Sequence, residues 1–234
     1  MKKIALRITT IILTLVIIFG VAFYFYNHFK TAESKAKSEK AINEITTLNF
    51  IKPDLSSEVK DRFQKDFNKQ AQSFLEDKGK SAGSYWPLLS IGAIKQEAGD
   101  YQGAEQAWLL AAKLQPKAYP PYGNLGYLYF HYFKDFAKAE TAYLQAIAND
   151  PEQLQYYVAL HQIYRYFYKQ DTNLAEEILL QGLEVQPDNI GLLEELARYY
   201  KDTNKKDQAV EIYQKVLTLD PKDELASQML KQLK

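Results

Sequence analysis

Four prolines set the register of this chain. Pro116, Pro151, Pro187 and Pro221 lie 35, 36 and 34 residues apart. A chain repeating at that period folds as a row of similar small units, each leaning on its neighbours, rather than around one central core. Other residues keep the same beat. Ala104, Ala139, Ala175 and Ala209 repeat at 35, 36 and 34, with Trp108, Tyr143, Leu179 and Tyr213 four residues later and Ala111, Ala146, Gly182 and Val216 three beyond those. Upstream, each unit carries a bulky–bulky–small trio: Leu88, Ile91, Gly92; Tyr122, Leu125, Gly126; Tyr157, Leu160, His161; Leu193, Leu196, Ala197. Only the gap from trio to alanine varies, at 12, 13, 14 and 12 residues. The extra residues are therefore expected to collect in a turn between two helices that must keep packing.

Apolar residues three, four and seven apart form a stripe on a helix. A small residue beside the stripe lets a second helix approach closely. Each unit thus reads as two antiparallel helices joined by a short turn, at Gly99-Asp100, Lys134-Asp135, Asp171-Thr172-Asn173 and Thr203-Asn204. A proline after the second helix stops it, and Pro87, Pro120 and Pro121 suit a first helical turn, where a missing N–H costs little.

These residues resemble tetratricopeptide repeats (TPR) over about 139 of 234 residues, from Tyr85 to Asp223. In the fourth unit Leu193, Leu196, Ala197, Tyr200, Ala209, Tyr213 and Pro221 all fall where the family places them. The third departs: His161 stands where the family has Gly or Ala, which questions close helix packing there. The resemblance implies an all-α, right-handed superhelical solenoid of four helix pairs whose inner helices line a concave groove for peptides or partner helices. The units are 85–118, 119–153, 154–189 and 190–223, with a closing helix over 224–234.

The remaining segments read in order. Residues 8–29 carry no formal charge and are rich in Ile, Leu, Val, Phe and Tyr. Twenty-two residues would span about 33 Å, near the roughly 30 Å of a hydrocarbon core. This predicts a transmembrane anchor over 1–30; a cleaved signal peptide starting Met-Lys-Lys is the rival. The compact basic start (Lys2, Lys3, Arg7) predicts a cytoplasmic N-terminus with the repeats outside, periplasmic or extracellular if the source is bacterial. Secretion after cleavage and cytoplasmic repeats are the alternatives. Residues 31–54 read as a solvated helix or flexible stalk. Over 55–84, Phe63, Phe67, Ala71 and Phe74 form one aromatic stripe, either capping the first face of the solenoid or offered to a partner or membrane surface.

Composition excludes several functions. Residues 81–234 carry 15 basic and 20 acidic side chains, and a mildly acidic repeat domain argues against nucleic acid. Without cysteine there is no disulfide, thiolate nucleophile or lipidated cysteine. His28, His131 and His161 stand at no metal-ligand spacing, and there is no phosphate loop and no Gly-x-Ser-x-Gly elbow. The expectation is no enzyme, no cofactor, no metal and no small-molecule substrate.

Carried over from the family, the groove positions are Leu89, Ala93 and Gln96; Tyr127, Phe130 and His131; Val158, Gln162, Arg165 and Tyr166; Glu194, Arg198 and Lys201. Tyr127, Phe130, His131, Gln162, Arg165, Tyr166 and Arg198 are the candidate partner-binding residues, because aromatic side chains and arginine supply most interface energy. The alternative is that these aromatics only pack between repeats. One family subtype grips acidic chaperone tails through a Lys/Asn/Arg clamp. Asn124 is present, but Leu89, Ala93, Gln155 and Ala159 occupy the other clamp places, so that ligand is disfavoured. The resulting expectation is a membrane-tethered adaptor or scaffold holding a protein or extended peptide, in envelope assembly or secretion by analogy of fold. The alternatives are a self-associating membrane protein and an accessory subunit of a membrane enzyme complex.

Overall fold

The computed structural model describes residues 30, 33–77 and 82–233. The chain divides into two units, Met1–Thr47 and Leu48–Lys234. In the first, residues 33–45 are helical (α1) and almost wholly exposed. Their polar side chains pair along the helix, as Lys35 with Glu39 and Lys40 with Glu44, four residues apart.

Among its described residues the second unit holds helices joined by turns, and no strand. A 21-residue helix, α2 (Ser57–Asp77), precedes the repeats. The helix pairs follow: α3 (Tyr85–Ala98) with α4 (Tyr101–Leu114), α5 (Pro120–Leu128) with α6 (Phe136–Asn149), α7 (Gln155–Tyr166) with α8 (Leu174–Val185), and α9 (Ile190–Asp202) with α10 (Lys206–Leu219), closed by α11 (Glu224–Leu233). Each helix packs chiefly on the helices before and after it in sequence. The aromatic stripe of α2 is covered: Phe67 and Phe74 are each 1% exposed. That helix packs on α3, so the stripe is not available to a partner.

The structure does not bear out the membrane localisation. Among the described residues no helix is long and apolar enough to cross a membrane. The physical reason is visible in α2. It is long enough, about 31 Å at 1.5 Å per residue, but Lys60, Asp61, Arg62, Lys65, Asp66 and Lys69 interrupt it, because its apolar residues serve one face only. Residues 8–29, on which the anchor, its orientation and the membrane partner rested, lie outside the described residues.

The punctuation of the repeats has a local cause. The residues before the four prolines, Gln115, Asp150, Gln186 and Asp220, all leave the helix with φ between −129° and −151° and ψ between 77° and 95°. A following proline forces that extended backbone. Every turn inside a helix pair contains one left-handed residue: Gly99, Lys134, Lys169 and Asn204, at φ 89°, 55°, 60° and 60°. Gly99 is also fixed by crowding, since a Cβ there would lie 3.1 Å from the backbone nitrogen of Lys52. The chain at Ile51 and Lys52 donates both backbone N–H groups to the Ala98 carbonyl.

The variable gap is absorbed in more than one way along the stack. In the first and fourth, the turn closes by an N–H bond five residues back, Asp100 to Lys95 and Lys205 to Tyr200. In the second, Asp135 reaches six residues back to Tyr129. The extra residue is not in the turn. It sits in the last turn of the helix, which becomes a five-residue π-helix over Tyr129–Phe133. A single inserted residue inside an α-helix takes this form.

Inside each pair, small and large residues alternate as the trio predicts. A Cβ on Gly92 would lie 2.3 Å from Trp108 Nε1, and one on Gly126 would lie 2.6 Å from the Tyr143 ring. Gly92→Ala is therefore expected to destabilise by about 1–3 kcal/mol, although alanine gains about 1 kcal/mol in intrinsic helix preference over glycine. Urea unfolding followed by circular dichroism measures it; a stabilised variant would show that the Trp108 ring yields freely. The third pair reverses the sizes, with His161 at the small position and Leu179 at the large one. His161 is 1% exposed and the α7–α8 pair remains packed. The imidazole is held across the pair by a contact of its Nδ1 with the Ala175 carbonyl oxygen of α8 at 2.7 Å.

Candidate functional site

Two cavities open on the face of the first helices. One, about 400 Å³, is lined by Phe130, His131 and Lys134 of the second repeat, His161, Gln162, Tyr166 and Phe167 of the third, and Glu195 and Arg198 of the fourth. The other, about 290 Å³, is lined by Gly123, Asn124, Tyr127, Phe130, His131, Tyr143, Gln155, Tyr156, Ala159 and Gln162. They share Phe130, His131 and Gln162 and so form one depression across three repeats.

The π turn places the middle of this depression. It carries Phe130 and His131, and an inserted residue turns the following side chains by about 100° relative to an uninterrupted helix. Phe130 is buried, with its ring edge-on to Phe136 at 6.2 Å and to Phe167 at 5.5 Å between centroids. His131 is exposed and lies 4.2 Å from the Tyr127 ring centroid. Burial first, and then the Lys134 ammonium, lower its pKa below the usual imidazole value. Tyr127, Tyr166 and Phe167 are 43%, 51% and 50% exposed.

Of the seven residues expected from sequence, Phe130, His131, Gln162, Tyr166 and Arg198 line the larger cavity, and Tyr127 the smaller. Arg165 lines neither. Its Nη2 donates to Asp202 Oδ2 at 2.6 Å, and its guanidinium lies over the rings of Tyr166 at 4.7 Å and Tyr199 at 5.7 Å. Arg165 ties the third repeat to the fourth. Arg198 is held by Glu195 at 3.1 Å but keeps a 44% exposed side chain.

Sequence reasoning missed Lys134, Phe167, Glu195 and His161 as cavity residues. Lys134 owes its position to the left-handed turn, and among the described residues it forms no ion pair. His161 Nδ1 lies 2.7 Å from the Ala175 carbonyl oxygen, so Nδ1 carries the proton and donates it. Nε2 is then a buried acceptor without a partner, which is rare in a folded interior. The signal for His161 was its departure from Gly or Ala at that position.

Burial lowers the His161 pKa; Arg165 and Arg198 act the same way, and the Ala175 bond and Glu195 oppose. The folded protein thus prefers the neutral ring more than the unfolded chain does. The resulting stability is present above pH about 6.5 and is lost as pH falls through the unfolded and then the lowered folded pKa. Stability of wild type is expected to fall more steeply than that of His161→Gln between pH 7 and 5. Chemical denaturation at three pH values checks it; parallel slopes would refute it.

A second periodic set joins consecutive repeats. Tyr129, Tyr164 and Tyr200 donate to Glu105, Glu140 and Glu176 of the preceding repeat at 2.7, 2.7 and 2.9 Å. Burial and those carboxylates push the three phenol pKa values up. Lys169 and Lys205 complete the pairs at Glu140 and Glu176. The ladder ties each repeat to the one before it.

A TPR family model matches residues 119–153 and 190–223. The chain carries tetratricopeptide repeats. Solved structures agree on the fold. A crystal structure of MamA aligns with TM-score 0.55 at 20% identity, covering 72% of this chain and 96% of that one. YrrB, described as a TPR protein with an unusual peptide-binding site, aligns at 0.52 and 15% identity over 70% and 81% of the two chains. MamA residues 41 to the end, from Desulfovibrio magneticus RS-1, align at 0.50 and 18% over 70% and 94%. No curated protein matched the sequence. The two unmatched helix pairs, α3–α4 and α7–α8, follow the same plan as the matched ones.

Proposed function

We propose that this protein is a non-enzymatic scaffold that holds an extended segment of a partner protein along the face of α5, α7 and α9. The observation that carries this reading is the continuous depression shared by three repeats, with half-exposed Tyr127, Tyr166 and Phe167 at its edges. Exposed aromatic side chains gathered in one depression are the usual anchors of binding energy. An extended chain, rather than a folded domain, matches a surface that runs from helix to helix along the stack. The peptide-binding description of YrrB is consistent with the same use of the fold.

Photo-crosslinking tests it. A crosslinker at Tyr127 or Gln162 is expected to capture a discrete partner protein, and one at the exposed Glu211 of α10 to capture none. The capture should be lost when Phe130→Ala is added. Equal labelling from residues 127 and 211 would refute groove binding.

A further inference from the structure

The larger cavity is specific in its chemistry. Its walls are the rings of Phe130, Tyr166 and Phe167. In its lining sits a neutral imidazole whose Nδ1 is committed to the Ala175 carbonyl and whose Nε2 has no donor. Its rim carries Lys134, with no ion-pair partner among the described residues, and Arg198, balanced by the single carboxylate of Glu195. An aliphatic or phenylalanine side chain would satisfy the walls and leave Nε2 bare. A carboxylate entering the cavity would meet another acceptor at Nε2. A tyrosine hydroxyl or tryptophan indole N–H supplies the missing donor on an apolar ring, and such groups need a partner when buried. The basic excess on the rim favours acidic residues on either side of that ring.

We infer that this cavity receives one tyrosine or tryptophan side chain of an acidic, extended partner segment, with the phenol O–H or indole N–H donating to His161 Nε2 while Lys134 and Arg198 meet the flanking carboxylates. The inference rests on the groove reading above and adds the identity of the anchor. His161 lines the cavity but is 1% exposed, so the donor reaches Nε2 by displacing part of the lining. His161 occupies the third repeat at the position where its neighbours carry Gly126 and Ala197, so the acceptor is peculiar to this one place in the stack.

The test uses the full chain and fluorescein-labelled heptapeptides Glu-Asp-Ser-X-Ser-Asp-Glu, with X as Tyr, Trp, Phe or Leu, measured by anisotropy. Tyr and Trp peptides are expected to bind about two- to tenfold more tightly than the Phe peptide, the worth of one hydrogen bond. In His161→Leu that preference should vanish while Phe binding remains. Lys134→Asn, which tolerates the left-handed backbone, and Arg198→Gln should each weaken all four peptides and flatten the salt dependence. Equal binding of Tyr and Phe peptides to wild type overturns the inference and needs no variant. So does equal binding of peptides with Gln and Asn in place of the acidic flanks, or no binding of any peptide. The crosslinking from Tyr127 judges groove binding separately. If instead the chain self-associates with rising concentration and Trp86→Ala abolishes this, the occupant is the 68% exposed Trp86 of a second copy, and the acidic partner is excluded.

Discussion

Replacing Lys95 by alanine is expected to cost about 3–5 kcal/mol of stability, the usual effect of removing one partner from a buried ion pair. Lys95 is 0% exposed and its Nζ lies 2.8 Å from Asp100 Oδ2, whose side chain is 8% exposed. The other oxygen, Oδ1, caps α4 by accepting from Gly103 N–H at 3.0 Å. Lys95 Nζ also lies 5.5 Å above the Phe67 ring of α2. One ammonium therefore joins the capping helix, the first turn and the start of α4. Without it the buried Asp100 carboxylate keeps only the Gly103 N–H at Oδ1 and a long 3.5 Å contact from Asn49 Nδ2 at Oδ2. Trp108 is buried and reports the loss; Trp86→Phe removes the exposed indole, so a red shift in urea follows the first repeat alone. The double change Lys95→Met with Asp100→Asn keeps the cap acceptor and removes both charges. It should recover most of the loss, because an apolar replacement of a buried pair is often neutral. A single variant within 1 kcal/mol of wild type, or a double variant as unstable as the single, would refute this account.

Trp108→Ala should be comparably severe, at about 3–5 kcal/mol for a fully buried aromatic side chain. The indole is 1% exposed, fills the space left by Gly92, and donates through Nε1 to the Leu89 carbonyl at 3.1 Å. Truncation leaves a cavity that glycine cannot narrow. Because repeats contact mainly their neighbours, the damage should be local. Hydrogen exchange is expected to lose protection across α3, α4 and α5 while α9 and α10 keep theirs. Uniform loss along the whole chain would show instead that the solenoid unfolds as a single unit.

How much of this was legible in the sequence depends on the distance over which a feature is decided. The ladder of Tyr129, Tyr164 and Tyr200 with Glu105, Glu140 and Glu176 repeats at the same 34- to 36-residue period as the prolines, and Lys95 takes the tyrosine position in the first repeat. That set could have been read in advance. The fate of Arg165 could not. Nothing in its helix announces that Asp202, 37 residues on, will take its guanidinium. Nor could the sequence say that His161 would fit the α7–α8 packing that its size called into doubt, since this depends on its ring reaching the Ala175 carbonyl across the pair.

The sequence by itself determined the helix pairs, their turns and their proline stops, because each is set within one helical turn of backbone by apolar spacing, a residue able to take positive φ, or the steric demand of proline. Only the tertiary structure decided where the depression lies. Its walls come from three repeats, and its centre depends on whether one inserted residue enters the Lys134–Asp135 turn or the helix before it. Periodicity fixes which face of a helix is apolar, but a single-residue shift rotates a side chain by about 100°. The choice between π turn and longer loop is made by packing against neighbours far away in the chain.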